Sequence, residues 1–590
     1  MAVDLPQSIG ALARFAATHH GDQIAARAKR DGAWAERTFA DAAASVERLA
    51  LGLIDQGIEP GDRVCVLADT SPEWTIAAYA IWSAGAVVVP VYPTNSPQEC
   101  EWVAGNSGAV AVLAENRVQL DKIRAVRDAL PEVRLLATID PAAADDDAVA
   151  VDAIAAAASA DRGELDRRIA ALTLDDPFLI IYTSGTTGPP KGCVLSQRNG
   201  LSVCRIVYEF GTVRTKDVGY LYLPLAHVFA QLLNVAAYAV GATIVYYGGN
   251  TREIIPELQE VRPDYLPSVP RIFEKLYAMG IGRLPADQAE RLRQAVALGV
   301  DVQARRLRGE PVPEDRAVAY AQVDERVFAP VRNLFGGRMR EATTGAAPIA
   351  KEILEFFYAA GVPVMEGYGM TESTGLGAAN RPTDFRFGTV GKALPDVELR
   401  IAGNGEILMR GPHVFLGYWA NEEATREVLD DDGWLHTGDL GSIDDDGFLS
   451  ITGRKKDIII TAGGKNLTPA NLENDLKQSR FVSQAVMYGD RRPYPVALVT
   501  LDAEEIQPWA RDQGLPDDIG ALAADDRVRA LIQEHLDGVN AKYAQVEQIK
   551  RFTILDHDLT LDRGEITPTL KIKRNVVYER YADVFDRLYA

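Results

Sequence analysis

Short apolar runs alternate with longer amphipathic stretches along the first part of the chain. Arg63-Val64-Cys65-Val66-Leu67, Val87–Val91 and Ala109–Ala114 are brief and apolar, which predicts buried strands. Phe39–Gly57 spaces its apolar residues for one helix face, and Trp74–Ala84 predicts a second helix. Strand and helix in alternation argue for parallel sheets covered by helices, an α/β fold. Ala142–Ala160, rich in Ala and Asp, reads as a surface segment. Two uncharged stretches, Trp74–Gln98 and Val228–Thr251, invite a test as membrane spans. Gly85 and Pro90 break the first; Gly241 and Gly248-Gly249 break the second. Each therefore reads as a buried helix followed by a strand, Val87–Val91 and Thr243–Tyr247. Residues 280–330 are polar with a helical pattern and predict a solvated hairpin at the surface. Beyond residue 457 the pattern is mixed, with elements at Ile458–Thr461, Pro469–Ser479, Ser483–Tyr488, Val496–Leu501 and Arg527–Ala544.

At 590 residues the chain exceeds one core, so two or more domains are expected. Lys plus Arg is 62 and Asp plus Glu is 83, a net charge of −21. That balance argues against nucleic acid as the main partner and against broad attraction to anionic lipid. The four cysteines, Cys65, Cys100, Cys193 and Cys204, form no Cys-x-x-Cys pair and no His/Cys cluster. Met1-Ala2-Val3-Asp4 lacks a basic segment followed by an apolar one. A reducing, cytoplasmic setting is expected.

The chemistry concentrates first at Tyr182–Gly192, Tyr-Thr-Ser-Gly-Thr-Thr-Gly-Pro-Pro-Lys-Gly, which follows the apolar strand Phe178–Ile181. Thr183, Ser184, Gly185, Thr186, Thr187 and Gly188 crowd hydroxyls and glycines together. Glycines let the backbone approach a ligand, hydroxyls and N–H groups can ring a polyphosphate, and Lys191 adds positive charge. A polar surface turn is the plainer alternative. The stretch differs from the P-loop of nucleoside triphosphatases, because Pro189-Pro190 precede the lysine and Gly192 follows it. It resembles the phosphate loop of the adenylate-forming superfamily: acyl-CoA synthetases, peptide adenylation domains and luciferases.

Further stretches extend the resemblance over nearly the whole chain. Val364–Glu372 contains Tyr368-Gly369-Met370-Thr371-Glu372. There Tyr368 offers a ring for adenine, Thr371 a hydroxyl for the α-phosphate, and Glu372 an oxygen ligand for Mg²⁺. Thr343–Pro348 supplies Gly345, Ala346 and Ala347 as the floor under the base, where related proteins usually carry Gly-Gly or Gly-Ala. In Gly433–Leu440, Asp439 can accept from both ribose hydroxyls, although a turn aspartate is the alternative. By resemblance Arg454 also reaches the ribose, Lys456 is the hinge, and the Gly463-Gly464 turn admits a pantetheine arm. His227, in Tyr220–His227, falls beside the carboxylate pocket in the same comparison. The stretches around Tyr208, His227–Gln231 and Ala346 are expected to line the acyl pocket. Val269–Lys275 and Gly564–Arg574 look like the long-chain branch, and register assigns the catalytic lysine to Lys571, with Lys573 its neighbour.

The resemblance implies a large N-terminal domain, 1–453, of parallel-rich sheets covered by helices with a small β-barrel-like part. A hinge at 454–457 and a small mobile α+β domain, 458–590, complete it. Closest to long-chain fatty acid–CoA ligases, it implies ATP, Mg²⁺ and coenzyme A, with a fatty acid activated to acyl-AMP and passed to a thiol. A fatty acyl-AMP ligase or carrier-protein loader is the alternative. Transient contact with the inner face of a membrane and homodimerisation are left open.

Overall fold

The computed structural model describes residues 5–183, 189–281, 286–462, 465–567 and 571–590. Two large sheets carry the first two thirds of the chain. In the first, Arg63–Leu67 lies between Val87–Val91 and Ala109–Ala114, all parallel. Pro177–Thr183 joins beside Val87–Val91, and Lys191–Ser196 pairs antiparallel with it. The second sheet runs parallel through Val364–Tyr368, Glu341–Thr344, Tyr265–Ser268, Val218–Leu221, Thr243–Tyr246 and Ile24–Arg30.

Helices fill the space between the sheets. Pro72–Ser83 is buried at every position but Glu73, which explains why it lacks a polar face. Trp82, fully buried, donates from Nε1 to the Phe178 carbonyl at 2.7 Å and so satisfies its polar atom. Thr75 accompanies it with bonds to Asn234 and Tyr246. Burying side chains of this size contributes roughly 2–3 kcal/mol each from transfer alone. Val228–Val240 is the matching buried helix, followed by the strand Thr243–Tyr246. At about 1.5 Å per residue neither helix approaches the thickness of a bilayer. Among the described residues no helix is long and apolar enough to cross a membrane.

Two stretches bury more than their composition suggests. The polar 280–330 segment does form helices, Ala286–Arg308 and Glu314–Val323. It is not merely solvated, however: Val302, Tyr320 and Phe328 are buried in the core that includes Phe356 and Phe357. The Ala142–Ala160 segment contains the helix Val151–Ala156, whose Ile154 packs so closely on Gly52 that a Cβ there would meet its carbonyl at 2.4 Å.

The part expected to be barrel-like is an antiparallel sheet of Glu398–Ile401, Glu406–Arg410, Leu435–Ile443 and Leu449–Arg454. Beyond it, Val482–Tyr488, Val496–Leu501 and Arg551–Ile554 form a sheet with its own cores, from Ile459 to Phe585. Ion pairs tie this last unit back to the helix Pro270–Ile281: Arg271 to Asp502 at 2.6 Å, and Lys275 to Glu504.

Candidate active site

The site begins at the hairpin whose strands end at the paired residues Thr183 and Lys191. Ser184, Gly185, Thr186, Thr187 and Gly188, expected to cradle phosphate, lie outside the described residues, as do Gly463 and Gly464 of the pantetheine turn. The hairpin's stems are held from one helix, Pro97–Ser107. Tyr182 donates its hydroxyl to Asn106 Oδ1 at 2.6 Å, and Trp102 Nε1 donates to the Pro190 carbonyl at 2.9 Å. Thr183 turns its hydroxyl toward the Lys191 carbonyl, 3.5 Å away, along the stem.

From Lys191 the site continues through an aromatic bridge. The Lys191 ammonium sits over the Tyr418 ring, 5.0 Å from its centre. Tyr418 donates its hydroxyl to Glu372 Oε1 at 2.7 Å. The short strand Gly417–Tyr418 pairs with Val194 and Cys193, which fixes that ring against the phosphate hairpin. Glu372 and Thr371 sit on a single tight turn, Thr371–Ser373, and both are buried. Gly369 is required just before it, because a Cβ there would lie 2.3 Å from the Gly375 backbone.

The other wall is a chain of polar side chains. Tyr368 donates to Asp439 Oδ2 at 2.6 Å, and Arg454 Nε lies 3.0 Å from Asp439 Oδ1. Asp439 is buried within the strand Leu435–Ile443, not in a turn. Burial and the Asp439 charge push the Tyr368 phenol far above its usual range. Gly345, Ala346 and Ala347 follow the strand Glu341–Thr344. A Cβ on Gly345 would meet the Gly367 carbonyl at 2.9 Å. Ala346 adopts φ +66°, the left-handed region that costs a Cβ-bearing residue roughly 1–2 kcal/mol. Lys456 stands exposed in the turn after Arg454.

Lys571 completes the arrangement from the last unit. It feels the charges of Arg454, Asp439 and Glu372. Lys573 instead caps the helix Arg574–Arg580 and donates its N–H to the Glu565 carbonyl at 2.8 Å. Lys571 is exposed, yet the walls around it strip part of its hydration. That desolvation, aided by Arg454 and opposed by the two carboxylates, lowers its pKa to about 8. His227 lies within reach of the same ammonium, and desolvation lowers its pKa to about 3. Its Nδ1 accepts the Phe229 N–H at 3.2 Å, so the neutral ring carries its proton on Nε2.

Residues 12–419 match the family described as AMP-binding enzyme, and residues 456–590 match the AMP-binding enzyme C-terminal domain. The chain belongs to this family. It is 40% identical over 572 residues to the long-chain-fatty-acid–CoA ligase FadD15 of Mycobacterium tuberculosis, covering 95% of this chain and 93% of that protein. It is 32% identical to the long-chain-fatty-acid–CoA ligase ACSBG2 of Xenopus laevis, covering 99% and 84% respectively. Among solved structures, a Mycobacterium tuberculosis fatty acyl CoA synthetase aligns with a TM-score of 0.64 at 23% identity over 98% of this chain and 99% of that one. The A-PCP didomain of a carboxylic acid reductase from Segniliparus rugosus aligns at 0.76, with 20% identity over 100% and 82%. At those identities the structural likeness speaks for the fold.

The sequence reading overlooked Tyr418 and Glu366. Tyr418 is brought to Glu372 only by the pairing of its strand. Glu366 had a signal, an acid after apolar Val364-Met365. Its Oε2 is shut from solvent without a hydrogen-bond partner among the described residues, and burial raises its pKa to about 8. Tyr208, expected at the acyl pocket, is 38% exposed, and Ala346 is exposed as well. Between the helices Gln197–Phe210 and Val228–Val240 lies a void of about 10 Å³, bordered by Val203, Leu232 and Val235.

Proposed function

We propose that the protein is an ATP-dependent long-chain fatty acid–CoA ligase. It forms an acyl-adenylate with release of pyrophosphate, then passes the acyl group to coenzyme A with release of AMP. The observation that carries the reading is the convergence of Lys571, from the last unit, on Glu372, Asp439 and Arg454 of the first. The family supplies the reaction type, and relatives covering nearly the whole chain supply the acid.

The chemical problem is charge, because a carboxylate must approach the α-phosphorus of a polyanion. Lys571 neutralises charge at that phosphate, and Thr371 donates a hydroxyl to it. Lys191 and the hydroxyls of Ser184 and Thr186 serve the outer phosphates. Asp439 and Arg454 hold the ribose, Tyr368 stacks on adenine over Gly345–Ala347, and Glu366 takes the base's exocyclic amino group. His227 offers Nε2–H to the incoming carboxylate. Glu372 is the residue that would hold Mg²⁺. A carboxylate is the hard oxygen donor this ion prefers, and Tyr418 fixes one of its oxygens. No cluster of three acidic, His or Cys ligands occurs among the described residues, so phosphate oxygens and water would complete the shell. The ion would supply charge neutralisation on the phosphates.

We divide the chain into a large unit, 1–453, a hinge, 454–457, and a small mobile unit, 458–590. Separate cores on either side of the hinge support the division. Turning at Lys456 would withdraw Lys571 and present Gly463-Gly464 to the pantetheine arm. We place the enzyme in the cytoplasm, drawing its acid from the inner face of a membrane in transient contact, as a monomer or homodimer.

The decisive assay supplies ATP, Mg²⁺, palmitate and coenzyme A and measures products by mass spectrometry. Palmitoyl-CoA with stoichiometric AMP is expected. Palmitoyl-AMP alone would replace the reading with an acyl-AMP ligase, and neither product would reject the long-chain acid. Lys571→Ala should slow adenylation by about 10²-fold while sparing thioester formation from supplied palmitoyl-AMP. Equal loss in both halves would refute the role of Lys571.

A further inference from the structure

Arg574 ties together three segments that meet behind Lys571. It opens the helix Arg574–Arg580, and its guanidinium forks onto Glu473 of the helix Pro469–Leu476. Nη1 donates to Glu473 Oε1 at 2.6 Å, and Nη2 donates to Oε2. The buried Glu473 also accepts the Met487 N–H at 2.7 Å, so it is anchored to the strand Val482–Tyr488. On its other side, Arg574 Nε lies 3.8 Å from Asp457 Oδ2, in the turn after Arg454. Lys571 itself rides on a short ladder leading into this point. Its N–H donates to Thr567 Oγ1 at 3.0 Å, its carbonyl accepts the Thr567 N–H at 2.8 Å, and Ile572 bridges to Ile566.

We propose that Arg574 is a positioning residue for Lys571, coupling its placement to the state of the interdomain turn. This rests on the reading that Lys571 serves adenylation. A buried ion pair is weak evidence for stability, since an apolar pair of equal volume often does as well. What the bidentate fork supplies is a fixed geometry. It locks the first residue of the helix Arg574–Arg580, three positions after Lys571, onto the core of the small unit. The Asp457 contact is different in kind. Asp457 follows Lys456, so turning at Lys456 carries Asp457 together with the Arg574–Glu473 fork, and the contact fastens the end of the hinge to the segment that bears Lys571. Arg574 therefore links the hinge to the lysine that the hinge must present and withdraw.

The test uses the full chain and both half-reactions: pyrophosphate release with ATP and palmitate, and thioester formation from supplied palmitoyl-AMP. Arg574→Met should slow adenylation about tenfold or more, the scale of a misplaced catalytic group, and leave the thioester step within about twofold. Arg574→Lys should recover only part, because an ammonium cannot make the fork. In a Lys571→Ala background, Arg574→Met should cause no further loss of adenylation. Equal loss in both halves, or an undiminished effect in the Lys571→Ala background, would overturn the proposal and leave Arg574 a plain structural residue. If Arg574→Met fails to fold in a thermal melt, Asp457→Asn decides. It should slow adenylation about two- to threefold with an unchanged melt, and an unchanged rate would overturn the coupling. A Lys571→Ala enzyme that adenylates normally would instead remove the role of Lys571 itself, a failure visible without any Arg574 variant.

Discussion

Lys571 and Glu366 show how much a single residue's setting decides. A lysine with a pKa of about 8 is only partly charged at pH 8.5 in the empty site. An anionic phosphate beside it would favour the charged form and raise that value. ATP binding at pH 8.5 should therefore take up a proton. Calorimetry in buffers of different ionisation enthalpy reads this directly; no uptake would mean that the phosphate does not reach Lys571. Glu366 carries the opposite sign. Its pKa is raised by burial to about 8, so the folded state favours the protonated acid. The stability this contributes is present at low pH and is lost as pH rises through about 8. Glu366→Gln should abolish that decline in melts between pH 6 and 9. Both residues were visible in the sequence as types. Their altered acidity was not, because desolvation depends on neighbours that the fold assembles.

At the scale of elements, the helix Pro97–Ser107 does more than cover a sheet. Trp102 and Asn106 stand four positions apart, hence on one face, and reach both stems of the phosphate hairpin. Trp102→Phe keeps an aromatic ring but removes the pyrrole with its N–H donor to Pro190. Losing such a bond costs about 1 kcal/mol, so the KM for ATP should rise about two- to fivefold with little change in melting temperature. An unchanged KM would show that the hairpin holds itself. Most elements were legible from periodicity: Arg63–Leu67, Val87–Val91 and Ala109–Ala114 have the bounds their apolar runs predict. The 280–330 hairpin was legible as helix but not as core, because its few apolar residues, among them Val302 and Tyr320, gain meaning only against Phe356 and Phe357. The stem clamp was invisible, since Trp102 and Pro190 are distant in sequence.

For the whole molecule, the question is what holds the last unit where Lys571 meets the site. The pairs Arg271–Asp502 and Lys275–Glu504 face each other across the two units, and all but Asp502 are substantially exposed. Exposed pairs contribute roughly 0.2–1 kcal/mol each, little for a fold but enough to tilt a soft equilibrium between two arrangements. Arg271→Glu combined with Lys275→Glu should slow adenylation several-fold, more so at low salt, and spare thioester formation from acyl-AMP. A salt-independent loss of both half-reactions would count against a tilted equilibrium.

The sequence by itself determined the α/β class, the strands of the parallel sheets, the family, and which residue types do the chemistry. These follow from local periodicity and from motifs whose members lie close together in the chain. Only the tertiary structure decided that Lys571 feels the Glu372 charge, and that Tyr418 fixes that carboxylate. It alone showed that Ala346 takes a left-handed backbone, and that Glu366 Oε2 is shut from solvent without a partner among the described residues. Each of those depends on the meeting of segments far apart in sequence, where burial and charge are set by neighbours that local patterning does not encode.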